Sequence, residues 1–148
     1  MMISGLGHVV LQVRSRERAE AFYHGVLGLE IAARYEPMPS TFFTVGSDHH
    51  CFAVIEVGED AALPDPKGAG MRHLAFRLGD APEALAAIRD ELDAAGIEVQ
   101  KMLDHGITHS IYTMDPDGNV VELYVDVSDA WKRDPSLIVA TPRPLKLA

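Results

Sequence analysis

Two histidines and one glutamate stand at places in the sequence where they could hold a metal ion. His8, His73 and Glu122 each lie in a short segment rich in β-branched and apolar residues, and each is the one ligand-type side chain on its face. Side chains alternate between the two faces of a strand, so each is predicted to project from a face that otherwise suits burial. Two imidazoles and one carboxylate leave open positions on ions such as Fe(II), Mn(II), Ni(II), Zn(II) or Co(II).

A plainer interpretation exists for each of these side chains. A single buried histidine or glutamate is more often a core residue satisfied by hydrogen bonds than a metal ligand, because any buried polar group needs a partner. This interpretation weakens when the histidines recur at matching places. The sequence therefore favours a metal site over three unrelated core residues.

Glu122 follows the most strongly patterned turn in the chain. In the segment Asp115-Pro-Asp-Gly-Asn119 the proline fixes φ, and Gly118 or Asn119 can adopt a positive φ. The residues that follow, 120–125, have the β-branched and aromatic content of a strand. A tight turn is thus predicted to set Glu122 in the middle of that strand.

The elements that must position these residues are predicted to occur twice. Each copy has a strand, a helix that ends in glycine, and three further strands, which makes a βαβββ repeat of about 65 residues. The first copy has strands at 7–13, 29–35, 41–45 and 50–57, with a helix from Ser15 to Gly28. The second has strands at 71–78, 97–102, 109–114 and 120–125, with a helix from Pro82 to Gly96.

This repeat defines the predicted domain organisation. The chain is predicted to be α+β, a single domain over 1–148, with repeat one at about 6–58, repeat two at about 70–126 and a C-terminal tail at 127–148. His8 and His73 occupy matching places in the first strands of the two copies. Glu56 is predicted to fall where Glu122 falls. In the tail, only Ser128 to Arg133 is expected to form a short helix.

Composition limits the classes of partner. The chain has 148 residues, 47% of them hydrophobic, and a formal net charge of −9. Nucleic acids and anionic membranes attract basic surfaces, so neither is an expected partner. The single cysteine excludes a disulfide within the chain, and neither a signal peptide nor an 18-residue apolar run is seen. We expect a cytoplasmic protein whose partner is a small molecule.

Three segments resemble the vicinal oxygen chelate superfamily, which includes glyoxalases, bleomycin resistance proteins and type I extradiol dioxygenases. They are 7–13 around His8, 72–78 around His73, and the turn and strand at 115–123. The resemblance implies a half-open eight-stranded barrel around a metal held by His8, His73 and Glu122. It also implies a homodimer.

Two further segments resemble the extradiol dioxygenase branch. His50, in the segment 48–54, resembles the acid-base histidine of that branch, while His105 and Tyr112, in 104–112, resemble residues that bind the catechol and help to ionise it. A histidine can take up and return a proton near neutral pH, as such a reaction requires. The resemblance implies an Fe(II)-dependent ring-cleaving dioxygenase that acts on an aromatic diol with O₂, with Mn(II), Ni(II) or Zn(II) as other metals.

Two alternatives remain open within the superfamily. A glyoxalase I-like isomerase or lyase would use Glu56 as a fourth ligand and as its catalytic base. A bleomycin-resistance-type binder would have no catalytic activity. Superfamily membership alone does not choose among these, because one fold can carry several chemistries.

Overall fold

The computed structural model describes residues 2 to 147, which group into two compact units. Unit 1 ends at Leu63 and unit 2 begins at Pro64. Among the described residues, no helix has both the length and the apolar character that a membrane crossing requires.

Unit 1 contains one four-stranded sheet and one helical segment. The strands are β1 (Val9–Val13), β2 (Glu30–Tyr35), β3 (Ser40–Thr44) and β4 (Phe52–Glu56). β1 and β4 pair in parallel at the edge, β3 pairs antiparallel with β4, and β2 pairs antiparallel with β3, which gives the order β1-β4-β3-β2. The helical segment between β1 and β2 is α1 (Arg16–Glu20), which continues as a π-helical stretch over Ala21–Val26.

Local chemistry explains where this helical segment begins and how it changes form. The Ser15 hydroxyl accepts a hydrogen bond from the backbone N–H of Arg18, as an N-cap residue does. In the π-helical stretch the Leu27 N–H bonds the Phe22 carbonyl, five residues back. This wider stretch buries Phe22 and Tyr23 completely or nearly so. The predicted helix between Ser15 and Gly28 is therefore confirmed, with a π-helical second half.

Unit 2 repeats the same plan and adds a strand. The strands are β5 (Leu74–Arg77), β6 (Lys101–Asp104), β7 (Thr108–Met114), β8 (Val120–Asp126) and β9 (Arg143–Pro144). Their order in the sheet is β5-β8-β7-β6-β9, so the first four places match those of unit 1. The helix is α2 (Glu83–Ala94), which carries the buried Leu85 and Leu92 and packs against β7 and β8.

The C-terminal tail has more structure than its sequence indicated. The predicted short helix near 128–133 is present as a 3₁₀ turn over Ala130–Lys132, and a second 3₁₀ turn covers Pro135–Val139. β9 then pairs antiparallel with β6, and the Leu145 N–H bonds the Met102 carbonyl at 3.1 Å. The prediction that the remaining tail lacks regular structure is wrong, because prolines and the absence of a period concealed these short elements.

The predicted fold class is confirmed. Both units have the βαβββ order, and the eight strands of the two repeats lie in two separate sheets, with no closed barrel formed by the described residues. Several strands are shorter than predicted at their ends, where glycines and exposed residues flank them. The repeat read from the sequence is thus a structural repeat.

Candidate functional site

The turn before β8 is held by a buried carboxylate. Asp115 is only 5% exposed. One of its oxygens accepts hydrogen bonds from the N–H groups of Asp117 and Asn119, and the other accepts from the Asn119 side-chain amide. Gly118 has a φ of +81°, a value that glycine adopts without strain. The predicted tight turn is therefore present. It fixes where β8 begins and thereby positions Glu122 within that strand.

The pairing of β5 with β8 in parallel brings the side chains of His73 and Glu122 into contact. Ala75 lies opposite Glu122 in this register, and His73 directly precedes the first paired residue of β5. The His73 Nε2 atom lies 3.0 Å from the Glu122 Oε2 atom, with the two side chains 37% and 12% exposed. The sequence pattern placed each of them opposite the apolar face of its own predicted strand, and the pairing of β5 with β8 brings the two side chains into contact.

Tyr112 and His105 extend this contact into a chain of four side chains. Tyr112 lies opposite Glu122 across β7 and β8, and its hydroxyl donates a hydrogen bond of 2.9 Å to Glu122 Oε1. The His105 Nε2 atom lies 3.0 Å from the same hydroxyl oxygen. A tyrosine has one hydroxyl proton, and Tyr112 donates it to Glu122, so the His105 N–H is the donor in the hydrogen bond to Tyr112. The order of contacts is His105, Tyr112, Glu122, His73.

The environment of Tyr112 favours its neutral form. Burial first, and then its hydrogen bond to Glu122 and the charge of that residue, raise the pKa of the Tyr112 hydroxyl well above its usual value. The ammonium of Lys101 lies 4.6 Å from the centre of the Tyr112 ring, close enough for a cation–π contact. Tyr112 is therefore a hydrogen-bond donor at neutral pH.

The distance between His73 and Glu122 fits two adjacent positions around one metal ion. Two donor atoms that each bind an ion at about 2.1 Å and about 90° apart lie about 3.0 Å from one another. The observed separation is 3.0 Å. Nitrogen and oxygen donors of this kind suit a divalent transition metal. Within residues 2 to 147, no group of three or more His, Cys, Asp or Glu side chains is arranged to hold a metal.

His8 and His50, the two predicted histidines of unit 1, lie close together. The rings of His8 and His50 have centroids 4.3 Å apart, and Phe42 meets His50 edge-on at 5.2 Å. The Nδ1 atoms of His49 and His50 are 2.6 Å apart. Partial burial, and after it the nearness of His8 and His49, lower the pKa of His50. Unit 1 thus brings His8 and His50 together, as unit 2 brings together His73, Glu122, Tyr112 and His105.

Glu56 does not hold the position that the sequence indicated. If β1 and β5 are matched so that His8 coincides with His73, the parallel registers place Ala53, and not Glu56, at the site of Glu122. Glu56 lies opposite Val13, at the far end of β1 from His8. Its carboxylate accepts a 2.8 Å hydrogen bond from the backbone N–H of Arg16, the first residue of α1. The predicted equivalence of Glu56 and Glu122 is therefore wrong.

A pocket of about 500 Å³ opens beside Glu122 within unit 2. No periodic pattern predicts this pocket, because part of its lining comes from the tail, which has no period. An aromatic residue followed by apolar residues in 131–139 was the one available signal. The lining residues are Ala75, Ile107, Thr108, Glu122, Tyr124, Asp126, Trp131 and Ile138.

Known proteins similar to this chain include two dioxygenases from Rhodococcus globerulus. Biphenyl-2,3-diol 1,2-dioxygenase 3 is 36% identical over 126 residues, and biphenyl-2,3-diol 1,2-dioxygenase 2 is 34% identical over 119 residues. The matches cover 82% and 80% of this chain but only 63% and 61% of those enzymes. The chain therefore spans less than two thirds of the length of these relatives.

A third relative has a different activity in its name. The glutathione transferase FosA of Serratia marcescens is 28% identical over 124 residues, and the match covers 84% of this chain and 82% of that protein. This relative is closer to the present chain in length than the two dioxygenases are.

Solved structures agree with the fold. A glyoxalase/bleomycin resistance protein/dioxygenase domain from Frankia sp. EAN1pec matches with a TM-score of 0.72 at 18% identity, covering 84% of this chain and 98% of that one. The fosfomycin resistance protein FosX of Listeria monocytogenes, solved with Mn(II) and sulfate, matches with a TM-score of 0.64 at 21% identity, covering 85% and 95%. At these identities the likeness concerns the fold alone.

The family model gives the broadest match along the chain. The model of the Glyoxalase/Bleomycin resistance protein/Dioxygenase superfamily matches residues 5–123, which include β1 through most of β8. That range contains both histidines and the glutamate on which the sequence pattern depends. The chain belongs to the Glyoxalase/Bleomycin resistance protein/Dioxygenase superfamily.

Proposed function

We propose that this protein is a metal-dependent extradiol dioxygenase that cleaves the ring of an aromatic diol with O₂. The observation that carries the proposal is the hydrogen-bonded chain from His105 through Tyr112 and Glu122 to His73. This chain connects His105, which can exchange protons, with Glu122 and His73, whose donor atoms are spaced for binding one metal ion. The names of the two Rhodococcus relatives support the same substrate class.

The proposed metal ligands are His8, His73 and Glu122. Fe(II) is the proposed metal, with Mn(II), Ni(II) and Zn(II) as ions that the same donors can bind. Iron bound there supplies Lewis acidity towards the diol and redox chemistry towards O₂. The hydrogen bond of Glu56 to Arg16 supports three protein ligands rather than four.

The chain's own residues would manage the protons of the reaction. His105 is proposed to accept, at its Nδ1 atom, the proton that the diol loses, because its Nε2 atom donates to Tyr112, and the Tyr112 hydroxyl is proposed to orient the diol. His50 is proposed to return a proton as the ring opens. Overall, the C–C bond beside the diol breaks and both atoms of O₂ enter the product, so the ring is oxidised, O₂ is reduced and no further oxidant is needed. The proposed partners are the diol, O₂ and a second copy of the chain.

Oxygen consumption tests the proposal. Protein loaded with Fe(II) under anaerobic conditions is mixed with a panel of catechols and then with O₂. We expect stoichiometric O₂ uptake and the yellow absorbance of ring-fission products. A protein that binds Fe(II) but consumes no O₂ with any catechol would overturn the proposal.

The match to FosA supports a second candidate, a metal-dependent transferase, isomerase or lyase of the same superfamily. FosA is named a glutathione transferase and is 28% identical over 124 residues. A protein of this kind would act on thiol-containing substrates without O₂. Turnover of a glutathione hemithioacetal, or transfer of glutathione to an acceptor, in the absence of O₂ would favour it.

A further inference from the structure

The pocket beside Glu122 has walls of two kinds. One wall comes from the sheet and includes Glu122 and Asp126, which carry charge. The other includes Ile107 and, from the C-terminal tail, Trp131 and Ile138, which are apolar. A ligand in this pocket therefore meets polar groups at the sheet and apolar groups at the tail.

The tail is held in place by hydrogen bonds at both ends of the segment that carries Trp131 and Ile138. At its start, the N–H groups of Val127 and Ser128 bond the Ile107 carbonyl at 2.9 and 3.3 Å. At its end, β9 pairs with β6. Between them, Asp134 accepts hydrogen bonds from the backbone N–H and the hydroxyl of Ser136, which caps the second 3₁₀ turn. The two side chains are therefore positioned by the fold.

Trp131 and Ile138 are exposed apolar side chains that line the same pocket. Trp131 is 39% exposed and Ile138 is 57% exposed. Adjacent exposed apolar side chains that line a concave surface are typical of ligand-binding grooves. A volume of about 500 Å³ equals roughly 17 water molecules at about 30 Å³ each. A single-ring diol has the bulk of only a few of these, so it would leave much of the pocket hydrated.

We propose that Trp131 and Ile138 form a specificity wall that selects aromatic diols carrying a large apolar substituent, such as a second ring. The proposal rests on the proposed function in one respect, namely that the diol binds at the Glu122 side of the pocket. The substituent then displaces water from the wall and buries its apolar surface there, which gives a substituted diol an advantage that the unsubstituted diol lacks.

A binding experiment tests the wall without catalysis. Phenol and 2-hydroxybiphenyl differ only by the second ring, and neither is an ortho-diol. We expect calorimetry to show tighter binding of 2-hydroxybiphenyl, and Ile138→Ala to weaken that binding about tenfold. Trp131 is the single tryptophan of the chain, so quenching of its fluorescence reports the second ring directly.

Two variants complete the design. Val139→Ala removes a neighbouring side chain that is 83% exposed and does not line the pocket, so it should leave both affinities unchanged. Trp131→Phe keeps an aromatic ring and should retain most of the preference for 2-hydroxybiphenyl. Equal affinities for phenol and 2-hydroxybiphenyl in the parent, or equal effects of Ile138→Ala and Val139→Ala, would overturn the specificity wall.

Turnover gives a second readout and separates the two proposals. With Fe(II)-loaded protein, Ile138→Ala should lower the ratio of kcat/KM for 3-phenylcatechol to that for catechol by about tenfold. Binding of 2-hydroxybiphenyl that depends on Ile138, without O₂ uptake, would support the wall and overturn the dioxygenase. O₂ uptake with a ratio that Ile138→Ala does not change would support the dioxygenase and overturn the wall.

Discussion

The Tyr112 hydroxyl and the Glu122 carboxylate are joined by a 2.9 Å hydrogen bond across β7 and β8. This bond orients one oxygen of Glu122, and it leaves the other oxygen 3.0 Å from His73 Nε2. An orienting partner of this kind stabilises a carboxylate in the geometry that a metal requires. The same Tyr112 hydroxyl also connects His105 to Glu122 by hydrogen bonds.

Tyr112→Phe removes that hydroxyl while it keeps the buried ring. Loss of a ligand's hydrogen-bonding partner typically lowers metal affinity about 10 to 100-fold, so we expect weaker Fe(II) binding. At saturating Fe(II), turnover should still fall about 100-fold, because His105 loses the hydroxyl that positions it and the diol loses its orienting contact. Metal titration and O₂ uptake measure the two effects. Tyr35→Phe, at an exposed position of β2, is the matched control, and equal behaviour of both variants would contradict the prediction.

His50→Phe removes the proposed proton donor and leaves the proposed metal ligands in place. Iron content should persist, while turnover should drop about 10² to 10⁴-fold, the usual contribution of a general acid or base. Metal analysis and steady-state kinetics on the same sample check this. His49→Gln changes the adjacent histidine and should have a much smaller effect. Loss of iron together with activity would show that His50 supports the metal site instead.

Glu56→Gln tests the number of ligands. Because Glu56 contacts the Arg16 N–H and lies opposite Val13, the variant should keep its metal and its activity. The loss of a negative charge at the start of α1 should cost less than about 1 kcal/mol of stability. Metal analysis beside the parent measures the first effect and urea unfolding the second. A fall in metal occupancy would favour the isomerase alternative.

Glu20 makes the stability of unit 1 dependent on pH. Hydrogen bonds from Arg34, and after them from Thr41, lower the pKa of Glu20 despite its partial burial. A depressed carboxyl pKa in the folded state contributes stability above the unfolded pKa of about 4.5, and this is lost as pH falls through the folded value. Because Arg34 is exposed, we expect this pH-dependent contribution of Glu20 to the free energy of unfolding to be only about 1 kcal/mol.

The measurement compares urea unfolding at about pH 7 with unfolding at about pH 3. Glu20→Gln should be less stable than the parent at the higher pH and nearly equal to it at the lower pH. Glu30→Gln removes the same charge from an exposed position of β2, and should not show this pattern. A constant difference between Glu20→Gln and the parent at both pH values would show that the effect is not linked to the protonation of Glu20.

Much of the unit 2 part of the site could be predicted from the sequence. The alternation of side chains placed His73 and Glu122 each opposite a purely apolar face of its own segment, and the resemblance named Tyr112 and His105. The contacts among these residues depend on the pairing of β5, β7 and β8. Local pattern and turn chemistry locate the residues, and the resemblance is needed to group them.

Other features depend on information that no local pattern contains. The register of β1 against β4 is set between segments about 40 residues apart. For this reason the sequence pattern places the counterpart of Glu122 at Glu56, three residues after the true counterpart, Ala53. The π-helical stretch and the tail's place beside the pocket likewise follow from tertiary packing, including the burial of Tyr23.

The difference between Ala53 and Glu122 has a consequence for how the two halves tolerate mutation. Equivalent positions in two copies of one fold are occupied here by a fully buried methyl group and by a carboxylate. In a saturation library, Ala53 should accept only residues near its own volume, such as Gly, Ser or Cys, whatever their chemistry. At position 122, substitutions should instead be tolerated according to whether the new side chain carries a negative charge. The two copies of the repeat would then be under different selection, for side-chain volume at position 53 and for charge at position 122.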